Sequence, residues 1–120
     1  MNSTSIQKAI EFFEDKLDFT TGPVELNEMI ENGENINIID VRRPEAYANG
    51  HIPGAINLPE EKWTSLSRLS RENVNIVYCY SHVCHLGAKA AKYFAEHDFP
   101  VMEMEGGFEE WQHNLLPIEK

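Results

Sequence analysis

The stretch Val74–His97, VNIVYCYSHVCHLGAKAAKYFAEH, decides how this chain folds. It opens with Val74–Cys79 (VNIVYC), a short β-branched run of the kind that forms a strand covered on both faces. It closes with Leu86–His97 (LGAKAAKYFAEH), whose alanines, leucine and aromatic residues read as a strong helix. Between them, Tyr78–Leu86 (YCYSHVCHL) holds both of the chain's cysteines and two of its five histidines. A buried strand that passes through a short loop into a helix is half of a crossover unit.

Working outward, the same alternation recurs. Asn35–Val41 (NINIIDV) reads as a second buried strand, and Val101–Glu103 as a third, entered through the turn Asp98-Phe99-Pro100. Ile52–Pro59 (IPGAINLP) reads as turn, short strand, turn. Ile6, Ile10, Phe13 and Leu17 recur at helical spacing, with Thr4 or Ser5 as the cap, and leave an apolar stripe that packs on the domain or offers a homodimer surface. Further helices are expected from Pro23 through Glu31, closed by Asn32-Gly33, and over one or two turns of Arg42–His51 (RRPEAYANGH). Glu60–Leu69 and Phe108–Asn114, after Gly106-Gly107, complete the set. This order predicts right-handed crossovers and an α/β fold with a parallel sheet covered on both faces.

At 120 residues with an apolar share of 42%, the chain suits one domain with one core. No apolar run approaches the roughly 20 residues of a membrane span. The polar opening MNSTSIQKAIEFFEDK lacks the character of a signal peptide, so no membrane role and a cytoplasmic location are expected. There thiols stay reduced, and two cysteines make no disulfide scaffold. A net charge of −10, with acids outnumbering Lys and Arg two to one, leaves no basic face for nucleic acid and opposes long-range capture of anions. The same excess acid serves as a solvated surface.

Cys79 ends the predicted central strand, and ligands of open α/β sheets sit beyond the carboxyl ends of the strands. A loop curling from there into a helix start aims backbone N–H groups inward and adds the positive end of the helix dipole. A thiol in that bowl is expected to ionise early and to hold an anionic adduct such as a persulfide. Local sequence leaves other roles open: a small buried hydrophobe, a Cys79–Cys84 redox pair, or Cys84 as the sulfur at the bowl's centre. Zinc is disfavoured because C-x2-H-x-C-H is too compressed for two separated ligand pairs. A triad on Ser81 lacks the flanking glycines of a nucleophile elbow.

Three segments, in order, carry a resemblance. Ile38–Pro59 (IIDVRRPEAYANGHIPGAINLP) is similar to the aspartate-valine-arginine and HIPGA-N signature of single-domain rhodanese modules, the sulfurtransferase family. Ile76–Cys79 with Ala88–Val101 is similar to its nucleophile strand and alanine-rich helix, and Met104–Trp111 (MEGGFEEW) to its closing glycine-glycine-aromatic-x-x-tryptophan motif. The resemblance implies a rhodanese-like three-layer fold with a central, mostly parallel five-stranded sheet. It divides the chain into an N-terminal amphipathic helix at 1–19 and a rhodanese-like domain at 20–120. It implies a loop cysteine that takes sulfane sulfur from a small-molecule or protein donor as a persulfide and passes it to a thiol acceptor. No cofactor and no metal is implied. Cys79 takes the nucleophile position, with Cys84 as second or resolving thiol. The active loop is then Tyr80, Ser81, His82, Val83, His85, Leu86 and Gly87. Asp40, Arg42, Gly106 and Gly107 support it, Gly54 matches the glycine of a tight turn, His51 packs in that turn and Trp111 caps the core.

The sequence departs from the family in the loop. Familiar members carry arginine five residues after the cysteine; here that position is Cys84, as in a variant subclass with a second loop cysteine. About two extra residues precede Ala88. Only His82 or His85 can supply a cation, and histidine holds an anion less well than a bidentate guanidinium. Poor thiosulfate turnover is therefore expected. The longer loop is also similar to those of rhodanese-related dual-specificity phosphatases and arsenate reductases, whose chemistry needs the missing arginine. A thiol redox or sensor module on Cys79–Cys84, and a non-catalytic binding module, stand as alternatives.

Overall fold

A computed structural model describes residues 2–120. Five strands form one sheet: β1 (Thr20–Thr21), β2 (Ile36–Asp40), β3 (Ile56–Asn57), β4 (Val74–Tyr78) and β5 (Val101–Met104). They lie in the order β1-β5-β4-β2-β3, with every pairing parallel. The helices are α1 (Ser3–Phe19), α2 (Pro23–Glu31), α3 (Pro44–Asn49), α4 (Leu86–Glu96) and α5 (Gly107–His113), with a 3-10 helix at Glu60–Ser65. The strand quoted first is thus the middle of the sheet, paired with β2 from Ile36↔Val74 to Asp40↔Tyr78.

Alternation along β2 and β4 divides the one core expected from length into two clusters, one on each face of the sheet. Ile38, Ile76 and Tyr78 face one side with Leu26 of α2 and Phe108 and Trp111 of α5. Ile39, Val77 and Cys79 face the other with Ala90 and Phe94 of α4 and Trp63 of the 3-10 helix. A one-residue period change would exchange these sets, so the register is strongly specified. Each fully buried side chain such as Phe94 contributes roughly 1.5–3 kcal/mol by leaving water. Cys79 therefore enters the structure on the α4 side, its direction set by strand pleat.

Three expectations change. Glu60–Leu69 is a 3-10 helix that stops at Ser65, with Leu66 left-handed at φ 53°. The left-handed Leu66 ends it after six residues, a short run of the kind 3-10 geometry favours. Trp63 is buried and donates its Nε1–H to the Leu58 carbonyl at 3.0 Å. The cap of α1 is Asn2, whose Oδ1 accepts the Ser5 amide at 2.8 Å, rather than Thr4 or Ser5. Strand β1 is too short to leave a pattern, yet it closes the sheet edge beside β5. No residue of α1 is buried, and Ile6, Ile10, Phe13 and Leu17 all remain exposed. Among the described residues no helix is long and apolar enough to cross a membrane.

Candidate active site

Strand β4 ends at Tyr78, so Cys79 is the first residue beyond it, at the carboxyl edge of the sheet. It is 3% exposed, while Cys84 is half-buried, and both are free thiols. A turn closed by the Cys84 amide on the Ser81 carbonyl at 3.1 Å folds the loop back, and α4 begins at Leu86. Cys79 and Cys84, Ser81 and His82 line a cavity of about 100 Å³, completed by Glu103–Gly107.

The loop is braced from below by α5. The Phe108 amide donates to the Cys79 carbonyl at 2.8 Å, and the Glu109 amide to the Tyr80 carbonyl at 2.9 Å. In a trans peptide the carbonyl of one residue and the amide of the next point opposite ways. Holding these two carbonyls against α5 therefore turns the Tyr80 and Ser81 amides up into the loop. The Ser81 amide meets Cys79 and the Tyr80 amide meets Cys84. The first turn of α4 supplies the complement: Gly87 N–H to Cys79 and Leu86 N–H to Cys84. The amides are shared between two sulfurs, and the Cys79 thiol itself donates to the Cys84 carbonyl at 3.5 Å and to the Ser81 carbonyl at 4.0 Å.

That sharing corrects the expected acidity of Cys79. Its burial pushes the thiol up, and the neighbouring Cys84 side chain pushes it further, to about 11, against the pull of the Gly87 and Ser81 amides. Cys84 is also penalised by burial, yet the Cys79 thiol and the Leu86 and Tyr80 amides outweigh that and bring it below the ordinary thiol range. Of the two thiols, Cys84 is therefore the one that gives up its proton first, and Cys79 the one that keeps it. We expect iodoacetamide at neutral pH to alkylate Cys84 first, because the thiolate is the reacting form. Substituting Cys84→Ser removes the neighbouring charge, so the Cys79 thiol should then ionise at lower pH. A pH series of alkylation rates, read by mass spectrometry, checks both; Cys79 reacting first in the unmodified protein would overturn the assignment.

The remaining sequence-chosen residues divide. Gly87 and Gly107 permit close approach. A Cβ on Gly87 would lie 2.7 Å from Oε2 of Glu103, and one on Gly107 (φ +65°) would lie 2.5 Å from the Ser81 nitrogen. Gly106 and Gly107 line the cavity; His82 does too, whereas Val83, His85 and Leu86 do not. Val83 and His85 are exposed, and the hydroxyl of Tyr80 accepts the Arg43 amide at 3.0 Å, away from the sulfurs. Asp40 and Arg42 lie beneath the site, paired with each other in the core rather than in the cavity. Gly54 sits in its turn at φ +82°, with its amide donating to the Glu119 carboxylate at 2.8 Å. His51 stacks on Tyr47 at 3.8 Å, and Trp111 is fully buried. Glu103 was not singled out from sequence. It sits in β5, half-buried, where the strand's alternation turns it toward α4. The residue mark that could have found it is an acid within a buried strand.

A match to the family described as Rhodanese-like domain covers residues 22–114. The chain is 33% identical over 98 residues to the thiosulfate sulfurtransferase GlpE of Stutzerimonas stutzeri, covering 80% of this chain and 87% of that one. It is also 33% identical over 91 residues to the HTH-type transcriptional regulator Rv0324 of Mycobacterium tuberculosis, covering 75% of this chain but 40% of the regulator's length. Among solved structures, the BH2092 protein from Bacillus halodurans superposes with a TM-score of 0.87 at 38% identity, over 94% of this chain and 85% of that one.

Proposed function

The chain belongs to the rhodanese-like family, and from that premise we propose that it moves sulfane sulfur through a persulfide on Cys79. The observation that carries this reading is the pair of free thiols lining one cavity just beyond the end of β4, where the loop turns into α4. As Cys79 attacks the outer sulfur of a donor, its proton passes to Cys84, the donor's sulfur–sulfur bond breaks and the leaving group takes the electron pair. The new terminal sulfur reaches one bond further into the cavity, where the amides stabilise its charge. An acceptor thiolate then attacks that terminal sulfur and Cys79 leaves as the thiolate. Either a small-molecule or a protein persulfide suits this donor role, while thiosulfate suits it poorly, because no lysine or arginine lines the cavity among the described residues.

Incubating the protein with a persulfide donor should add the mass of one sulfur atom to the peptide that holds the loop. Cys84→Ser should retain that adduct and Cys79→Ser should lose it. Absence of the adduct in the unmodified protein would reject sulfur transfer; its persistence in Cys79→Ser would move the nucleophile to Cys84.

Two free thiols lining one cavity also favour a redox reading. A two-electron oxidant would join Cys79 and Cys84 with loss of two hydrogens, and the disulfide would shield Cys79 from overoxidation. A potential of roughly −180 to −320 mV in glutathione buffers would support a switch, and one well below it a disulfide that cells do not cycle.

A further inference from the structure

We infer that Glu103 sets the donor class of this site: its carboxylate, inside the sulfur cavity, selects donors that bring one negative charge or none over dianions. The inference rests on the sulfur-transfer reading and deepens it. Two distances from one point locate the carboxylate. A Cβ on Gly87 would stand 2.7 Å from Glu103 Oε2 and 3.6 Å from Cys79 Sγ. Sulfur and carboxylate are therefore at most about 6 Å apart, well inside the range of direct Coulomb action. Glu103 is half-buried in β5 and lines the cavity with both cysteines.

The charges around it do not cancel it. The other acid of the lining, Glu105, is bridged by Lys16 of α1 at 2.6 Å, so that lysine is already engaged. His85 and Lys16 act on Glu103 only from a distance, and burial together with Glu105 pushes its carboxyl above the ordinary range. Arg42, which is buried, is committed to Asp40. A dianion entering this cavity meets an acid where a binding cation would be needed. The absence of arginine removes an attraction; Glu103 adds a repulsion, and the two effects are separable by experiment.

The repulsion scales with donor charge, which supplies the test. Thiosulfate and methanethiosulfonate each present an outer sulfur to the thiolate. In both, a new sulfur–sulfur bond forms on cysteine while the donor's own sulfur–sulfur bond breaks. The electron pair leaves on sulfite in one case and methanesulfinate in the other. They differ by one unit of charge. At about 6 Å a unit charge biases encounter about threefold even at the dielectric of water, so the dianion bears that penalty about twice over in free energy.

Loading rates at low ionic strength and mildly alkaline pH should therefore change unequally in Glu103→Gln. We expect kcat/KM to rise about threefold for methanethiosulfonate and about tenfold for thiosulfate, with both gains shrinking as salt is added. Lys16→Ala, which frees the Glu105 charge, should move the thiosulfate-to-methanethiosulfonate ratio the opposite way. A purely structural role would alter both donors equally and would not reverse sign between these variants. Loading in the unmodified protein with an unchanged ratio in Glu103→Gln overturns this inference alone. No loading from either donor, or from the persulfide donor used above, overturns the sulfur-transfer reading and this inference with it.

Discussion

Gly107→Ala should destabilise the fold by about 3 kcal/mol and abolish the acidity difference between the two thiols. The added methyl would stand 2.5 Å from the Ser81 nitrogen, 2.6 Å from the Tyr80 carbonyl carbon and 2.8 Å from the Cys79 oxygen. All three are backbone atoms, which cannot rotate aside. Relief requires α5 to withdraw from the loop, and withdrawal breaks the Phe108 and Glu109 hydrogen bonds to the Cys79 and Tyr80 carbonyls. Those bonds aim the Tyr80 and Ser81 amides at the sulfurs, so the electrostatic cradle goes with them. A matched comparison isolates the clash from backbone strain. Gly33 has φ +66°, nearly the same as Gly107, but a methyl there meets nothing within 4 Å. Gly33→Ala should therefore cost only the left-handed penalty of about 1 kcal/mol. Urea denaturation of the two variants checks the difference, and alkylation order in Gly107→Ala checks the site. Equal costs at the two positions would show that the helix-to-loop contact is slack.

The reach of the sequence follows from where its signals are local. Ile36–Asp40 and Val74–Tyr78 were legible within a residue of each end, because a strand covered on both faces must be apolar throughout. The family signature located the loop and its glycines. What the sequence concealed depends on atoms brought together across the fold. A short loop curling from a strand end into a helix start implies a bowl, but nothing local says that its amides divide between two sulfurs. The direction in which the proton settles depends on burial depth, which differs because Cys79 follows the strand pleat inward while Cys84 rides on the turn. Glu103 escaped notice for a similar reason: its significance lies in a contact with Gly87, an element away. The 3-10 helix is hidden because six residues with one buried side chain, Trp63, do not separate a period of three from one of 3.6.

Asp40→Ala is expected to cost about 4 kcal/mol while leaving sulfur loading of the folded protein unchanged. Asp40 is fully buried, and its two oxygens accept from Arg42 Nε and Nη2, the latter at 2.7 Å, and from the Tyr78 hydroxyl at 2.6 Å. Arg42 in turn donates to the Gly50 carbonyl at 2.6 Å and lies over the Phe108 ring at 4.2 Å. The pair thus joins β2 and β4 to the turn after α3 and to α5, the helix that braces the loop. Removing the carboxylate strands a guanidinium in the core, and that uncompensated charge, rather than the lost attraction, dominates the cost. The distinction is measurable. Replacing both partners by apolar side chains of similar size, Asp40→Leu with Arg42→Met, should recover most of the loss, because no charge remains buried. Neither residue lines the sulfur cavity, so donor kinetics should survive in the double variant at temperatures below its unfolding transition. This separates the aspartate-arginine signature from the chemistry beside it. A double variant that folds as well as the parent but no longer accepts sulfur would place Arg42's charge in the reaction after all.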